Sequence, residues 1–501
     1  MQTMITASML YDYTTCPHRV AMDLFGDPNE RDEVSPFVEL LWERGSAFEQ
    51  QTIEDLGVPY LNLRRVPRAQ REEMTARAIA NGEALIYGAR MSHGELLGEP
   101  DLLRRTNLGY VPGDIKSGAG LEGETEEVAG KPKKHYAYQL ALYSDILQRK
   151  GWATAQEAFI WDIHGAEVVY DLSQPRGPRT GATMWEEYEE ALETVTAIAK
   201  RAIQTKPGLI SACGLCHWRS HCRFQINRAD DLTLISELGR STRDKFPAAI
   251  RTVQGLANAS LDSLIVGGKS TLPGIGAKTL EKLHARAVLQ NQTNPAPYFT
   301  EAVTLPRGNT ELFFDVETDP FRDLCYLHGF VERHRGDNAA EHYVAFAAQE
   351  ADPQSEERAF ADALQYVREQ ADAIVYFYSS YERTTWRHLA RRYPDVATED
   401  EIVALFDDDR FIDLYTDIVR SKMIWPTHSL SIKALATFLG FEWRDTDPSG
   451  AGSIQWYHEW VEKGDPAIWN RILEYNEDDC RAMRVLADAL RRFAVSGDSG
   501  P

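Results

Sequence analysis

The chain has 501 residues, room for about three average domains at one per ~150 residues, and its 43% hydrophobic and 26% charged residues exclude wholesale disorder. With 54 basic against 76 acidic side chains the formal net charge is −22. A surface of that sign cannot coat nucleic acid as a whole, so any bound polyanion must meet a local basic patch. Six cysteines are too few for a disulfide scaffold.

The N-terminus, MQTMITASMLYDYTTCPHRV, lacks a basic start followed by an apolar run of signal-peptide length. No stretch approaches about 18 consecutive apolar residues. A soluble, cytoplasmic protein without membrane association is expected. Residues 1–225 combine strand-like runs, a Gly/Glu-rich loop from Ser117 to Lys134, and a helical stretch near Ala182 to Gln204. Arg44-Gly-Ser-Ala-Phe-Glu49 offers an acid on a helix. Asp101 in Gly98-Glu-Pro-Asp101-Leu-Leu begins one strand, and Asp114 in Tyr110-Val-Pro-Gly-Asp114-Ile-Lys116 ends the next. Asp114 and Lys116, two apart, share a strand face. Two carboxylates hold a divalent metal, and a lysine beside them orients a water or neutralises developing phosphate charge. Gln139 and Tyr143 share a helix face at i, i+4. Cys213-x2-Cys216-x5-Cys222 follows a helix, with Cys16 near the other end of the same segment. Four thiolates suit Zn²⁺ or an iron–sulfur cluster. Cys325 and Cys480 read as core residues.

On these residues, 1–225 resembles the RecB-type PD-(D/E)XK nucleases that carry an iron–sulfur staple, as in AddB and the CRISPR-adaptation exonucleases. The resemblance implies a [4Fe–4S] cluster on Cys16, Cys213, Cys216 and Cys222, metal-binding Asp101 and Asp114, and a catalytic Lys116. Gln139 and Tyr143 become the accessory motif that steadies the site and touches DNA. Many relatives place a metal-binding histidine where this chain has Glu49. A carboxylate there still serves Mg²⁺ or Mn²⁺, which prefer oxygen ligands.

Residues 226–293 read as short helices with no strand signal. Leu272-Pro-Gly274-Ile-Gly276 lies between two helical runs, followed by Lys278 and Lys282. Its glycines permit a tight turn that exposes N–H groups at a helix N-terminus. Between Gly268 and Ala287, Lys269, Lys278, Lys282 and Arg286 stand against Glu281, a local excess of +3. The segment resembles a helix–hairpin–helix module that grips nucleic-acid backbones without reading sequence. A plain helical connection is the alternative.

Residues 294–310 carry linker chemistry, 311–495 form a further domain, and 496–501 read as a disordered tail. In Glu311-Leu-Phe-Phe-Asp315-Val-Glu317, the two later acids share one face of an apolar strand. Tyr475 and Asp479 align at i, i+4 on a late helix. This pattern resembles the DEDD family of 3′→5′ exonucleases on a ribonuclease-H-like fold, in which acids hold two metals and the tyrosine orients the attacking water. Where the family's second Asp stands, this chain has Glu382; Asp413 is another candidate, with capping as its plainer role.

The whole implies an α/β multidomain protein: a PD-(D/E)XK restriction-endonuclease-like domain, a helix–hairpin–helix linker and a ribonuclease-H-like domain. The function expected is a metal-dependent DNA nuclease, an exonuclease in repair, recombination or defence. Its rivals are a nucleic-acid-binding scaffold with degenerate sites, working with a helicase, and an RNA-processing exonuclease. Glu49 and Glu382 favour the scaffold. No G-x4-G-K-[ST] occurs, so unwinding would fall to a partner.

Overall fold

A computed structural model describes residues 3–123, 130–177, 181–446 and 448–496. The chain divides into two compact units, Met1–Pro207 with Ser211–Cys222, and Gly208–Ile210 with Arg223–Pro501. Most of the expected disordered tail, from 497 onward, lies outside the described residues, as does part of the Ser117–Lys134 loop. Among the described residues no helix is long and apolar enough to cross a membrane.

The first unit begins with α1 (Ala7–Thr15) and α2 (Pro36–Glu54). Ser35 accepts from Val38 N and Pro36 occupies the first turn, so α2 starts where the chain's own chemistry starts it. A six-stranded sheet follows, of β1 (Leu61–Asn62), β2 (Leu85–Tyr87), β3 (Leu102–Thr106), β4 (Gly109–Ile115), β5 (Glu157–Trp161) and β6 (Glu167–Asp171). Its order is β6-β5-β4-β3-β2-β1. The β4–β5 and β1–β2 pairs are parallel and the rest antiparallel. Between β4 and β5 runs α3 (Lys134–Arg149), which is buried on nearly every side, as its Leu140–Leu147 run requires. α1 and α4 (Met184–Ala199) pack against it.

In the second unit, residues 226–293 gather a small core of Leu232, Phe246, Leu256, Leu272, Leu280 and Leu283, ending in α5 (Ala277–Gln290). Here the sequence reading needs correction. Ile265–Val266 and Lys269–Ser270 pair as an antiparallel hairpin. Its two arms are too short to show alternation. Gly267 and Gly268 at φ +59° and +74° form the left-handed two-residue turn that such hairpins favour.

The second sheet comprises β7 (Thr310–Asp319), β8 (Leu324–His334), β9 (His342–Ala347), β10 (Ile374–Phe377) and β11 (Phe411–Asp413). Its order is β9-β8-β7-β10-β11. β9, β8 and β7 are mutually antiparallel, and β10 and β11 run parallel to β7. α6 (Pro353–Glu369) and α7 (Tyr381–Arg392) cover a core centred on Trp386, whose ring meets Phe314, Phe360 and Phe406. α8 (Ile432–Phe438), α9 (Gly450–Lys463) and the long α10 (Pro466–Ser496) follow.

α10 lies very close to the sheet because Gly329 of β8 has no side chain. A Cβ there would fall 1.6 Å from Asn476 Oδ1. Gly329 is also the residue paired with Asp315 across the ladder. Gly329→Ala is therefore expected to destabilise by about 1–3 kcal/mol, the usual cost of overpacking. Asn476→Ala in the same chain should recover part of that loss, a non-additivity that thermal or urea unfolding of both single variants and the double variant will measure.

Candidate active sites

The first site sits where β3 and β4 begin and end side by side. Asp101 directly precedes β3, and Asp114 is the penultimate residue of β4. Asp101 N donates to Asp114 Oδ1 at 3.2 Å, and Ile115 N donates to Asp101 Oδ2 at 3.0 Å. Lys116 Nζ lies 2.9 Å from Asp114 Oδ2. Burial and then the Asp114 charge push the Asp101 carboxyl up to about 7. Burial opposes the Lys116 charge, but Asp114 and Asp101 outweigh it and hold the side chain as an ammonium. On α3, Gln139 Nε2 donates to Tyr143 OH at 3.1 Å. The Tyr143 phenol is held well above its ordinary pKa by burial and then by Asp114.

Glu49 reaches this place from α2 through residues that the sequence reading missed. Its Oε1 accepts from Tyr87 OH and from Arg64 Nη2, both at 2.9 Å. The same Arg64 nitrogen donates to Asp101 Oδ1 at 2.8 Å. One guanidinium thus bridges two of the three expected metal ligands. Glu49, Asp101 and Asp114 do not converge as a ligand set within 4.8 Å. The residues nonetheless suit a divalent cation: Asp114 Oδ2 is buried and, among the described residues, meets the Lys116 ammonium alone.

The second site is more tightly gathered. Asp315 and Glu317 of β7 and Asp479 of α10 place one carboxylate oxygen each within 4.8 Å of the others, the one such group among the described residues. The β7–β8 register shifts between Glu317 and Thr318, a bulge beside the acidic pair. Asn476 Nδ2 donates to Asp315 Oδ2 at 2.7 Å, and Tyr343 OH donates to Asn476 Oδ1 at 2.8 Å. Asp479 accepts from Trp443 Nε1 at 2.8 Å and from Lys433 Nζ at 3.2 Å. Lys433, on α8, also donates to the Tyr475 hydroxyl at 2.7 Å. Burial and then Asp479 push Glu317 up to about 8; burial, Glu317 and Asp479 hold Asp315 well above the carboxylate range. Three acids this close together, two of them with raised pKa values, suit a cation that would share their oxygens.

Glu382, in the first turn of α7, stands outside that triad yet near enough for its charge to raise Asp315. Its Oε2 is buried and has no hydrogen-bond partner. Asp413 caps: its Oδ1 accepts from the amides of Ser379, Tyr415 and Thr416 at 3.0, 2.9 and 2.8 Å.

The cysteines require a correction. Cys16, Cys213, Cys216 and Cys222 are free thiols, and no three of their sulfurs lie within 4.8 Å of one another. They do feel one another: burial and then Cys216, Cys16 and Cys213 push Cys222 up to about 12. Neutral thiols of this kind have no attraction that would draw them to ligand distance. The two chain-distant pieces meet through other groups. Asp23 Oδ1 contacts His217 Nε2 at 2.6 Å and accepts from Trp218 Nε1 at 2.8 Å, and Asp32 Oδ2 accepts from Ser220 N at 2.9 Å.

At the Leu272–Gly276 turn, Gly274 takes φ +68° and Gly276 caps α5. Lys278 is exposed there. Lys282, by contrast, is turned to the Arg420 carbonyl, and Arg286 is buried against Ser236 O and Glu237. Two of the four cations behind the local excess of +3 are therefore internal.

Residues 10–223 match the family model of the PD-(D/E)XK nuclease superfamily, and residues 312–491 match that of the RNase H superfamily. A search of curated proteins gave no match. The chain thus joins a PD-(D/E)XK nuclease superfamily domain to an RNase H-like domain in one mixed α/β protein.

Two outcomes follow from this geometry. Arg64→Gln removes the cation between Glu49 and Asp101, so Mn²⁺ should bind the first site more tightly, read as a lower Kd by Mn²⁺ paramagnetic resonance. Asp101 and Glu317 titrate above ordinary carboxylates, so the fold favours their protonated forms. Their stabilising contribution is full below about pH 4 and is lost as pH rises through about 7–8. Mn²⁺ should accordingly raise the unfolding midpoint at about pH 8 and leave it nearly unmoved at about pH 5, with Glu317→Gln flattening that difference.

Proposed function

We propose that the chain is a divalent-metal-dependent phosphodiesterase that acts on DNA ends. Its PD-(D/E)XK centre uses Glu49, Asp101, Asp114 and Lys116, and its exonucleolytic RNase H-like centre uses Asp315, Glu317, Asp479 and Tyr475. The observation that carries the proposal is the gathering of three carboxylates, the half-buried Asp315 and the buried Glu317 and Asp479, within 4.8 Å. A bound Mg²⁺ or Mn²⁺ would supply charge to the phosphate and lower the pKa of a water. At the first centre Lys116 is an ammonium, which suits neutralising charge on the phosphate rather than removing a proton. Gln139 and Tyr143 hold the wall behind it. At the second centre Tyr475 stays a phenol, its hydroxyl anchored by Lys433 and thereby fixed to orient a water. Gly274, Gly276 and Lys278 form the backbone grip of the proposed helix–hairpin–helix; Lys282 serves it structurally.

An iron–sulfur cluster is not part of this proposal, because only the cysteine spacing speaks for it. Work with a helicase, and a role in repair, recombination or defence, would be consistent with the absence of a nucleotide-binding loop. A scaffold reading draws on Arg64, which fills the space between two ligands of the first centre.

The test is cleavage of end-labelled single- and double-stranded DNA and RNA with Mg²⁺ or Mn²⁺. Lys116→Ala should slow one activity by about 10²–10³-fold, the usual loss of an electrostatic stabiliser, with metal affinity nearly intact. Asp114→Ala should lose both. Asp315→Ala and Asp479→Ala should remove stepwise trimming alone. Cleavage at parental rates by all four variants would sink the proposal.

A further inference from the structure

We propose that a cleft at the start of β7 binds backbone phosphates of a single strand whose end lies at the Asp315–Glu317–Asp479 centre. This rests on the nuclease reading of that centre. The cleft has a volume of about 640 Å³ and lies between the N-terminal end of β7, the C-terminal end of β8 and the last turns of α10. Its floor is already neutral. Arg333 donates to Glu311 at 2.6 Å and to Asp488 at 2.8 Å, and Arg491 donates to Glu311 and, at 3.3 Å, to Asp488.

The rim differs. Arg307, Arg335 and Arg492 line the same cleft, and among the described residues their guanidinium groups have no carboxylate partner. Two floor arginines matched by two acids, plus three rim arginines, leave a local charge of +3 in a chain of −22. Arg335 is held in place by a turn: its backbone takes φ +52°, Gly336 takes φ +70°, and Arg335 N donates to Asn309 O at 2.7 Å. Three unpaired guanidiniums around one concavity recognise phosphate, through paired N–H donors that match its oxygens.

No aromatic residue lines the cleft. A nucleobase would find no ring to stack on, so the ligand is a run of phosphates rather than a nucleotide read by its base. Two paths lead from the carboxylates to the cleft. From Glu317 back to Glu311 along β7 is ~20 Å at ~3.3 Å per residue. From Asp479 to Arg492 along α10 is also ~20 Å at ~1.5 Å per residue. At the ~3.4 Å rise of a stacked strand that span is about six nucleotides, and an extended strand, at roughly twice the rise, covers it in about three. A dinucleotide with its end at the carboxylates cannot touch the rim; a strand well beyond about six nucleotides does.

The experiment uses the full chain in EDTA, with labelled oligonucleotides of about two and about fifteen nucleotides, in DNA and in RNA, and fluorescence anisotropy across a salt series. Arg335→Gln/Arg492→Gln should weaken binding of the longer strand roughly tenfold and reduce its salt slope by about 1.4, two contacts at ~0.7 each. Affinity for the shorter strand should not change, and Arg335→Lys/Arg492→Lys should keep most of the affinity for the longer one. An unchanged unfolding midpoint for the Gln variant shows that the fold is intact. Parental affinity and slope of the Gln variant on the longer strand would overturn the inference while leaving the nuclease reading in place. A parent that neither binds either strand in EDTA nor cleaves it once Mg²⁺ or Mn²⁺ is added would remove the reading itself, and the inference with it. If tripolyphosphate raises the midpoint of the parent but not of the Gln variant, with strand affinity unchanged, the cleft belongs to a free polyphosphate and the strand assignment is wrong.

Discussion

The face of the second sheet that carries Asp315 and Glu317 is arranged around carboxylates held very close together. Two ionised acids 4.8 Å apart repel by about 3 kcal/mol at an effective dielectric constant of ~20, and a triad contains three such pairs. Burial of each charge adds its own cost. The neighbours are chosen accordingly. Asn476 and Trp443 turn N–H groups toward Asp315 and Asp479, and Lys433 adds one cation beside Asp479 and Tyr475. Gly329 exists to let Asn476 that close. The bulge after Glu317 turns the strand away where the acidic face ends.

The first unit meets the same difficulty with more charge and less convergence. Asp114 has Lys116, and Asp101 shares Arg64 with Glu49. Two resident cations compensate three acids, so these acids can stay apart. A guanidinium is displaced from such a place at the cost of two charge-assisted hydrogen bonds. The second centre has one lysine for three close acids, and its need for an added cation is correspondingly greater.

Much of this was legible in the sequence, for reasons that can be named. Asp315 and Glu317 lie two apart on an apolar strand, and Tyr475 and Asp479 four apart on a helix, so local periodicity alone puts each pair on one face. Asp101 and Asp114 are joined by a hairpin, and its antiparallel register brings them together. The strands β7 to β10 were marked by runs of buried aromatic and β-branched residues. Arg64, Lys433 and Trp443 were not legible, because each arrives from a separate element with no fixed offset from the acids it serves. Asn476 sits next to Tyr475 in the sequence, yet its role depends on Gly329, which is 147 positions earlier. The cysteine spacing implied a four-thiolate site joining Cys16 to the 213–222 segment, which the sulfurs do not form. It could not reveal that Asp23, Asp32, His217 and Trp218 make the joint.

Glu382 remains the informative departure. If the proposed centre takes a fourth carboxylate, Glu382 and its neighbour Asp413 are the two candidates, and their hydrogen bonds separate them. Asp413 spends one oxygen on three backbone amides, which fix the turn at Ser379 and the start of the segment after β11. Pulling that carboxylate toward a metal would break three part-buried hydrogen bonds to backbone amides at once. Glu382 has an oxygen with no partner and a charge that already reaches Asp315. Its extra methylene gives it reach that an aspartate at the head of α7 would lack. On the proposed nuclease reading, a fourth ligand would come from Glu382, by the freedom of its Oε2.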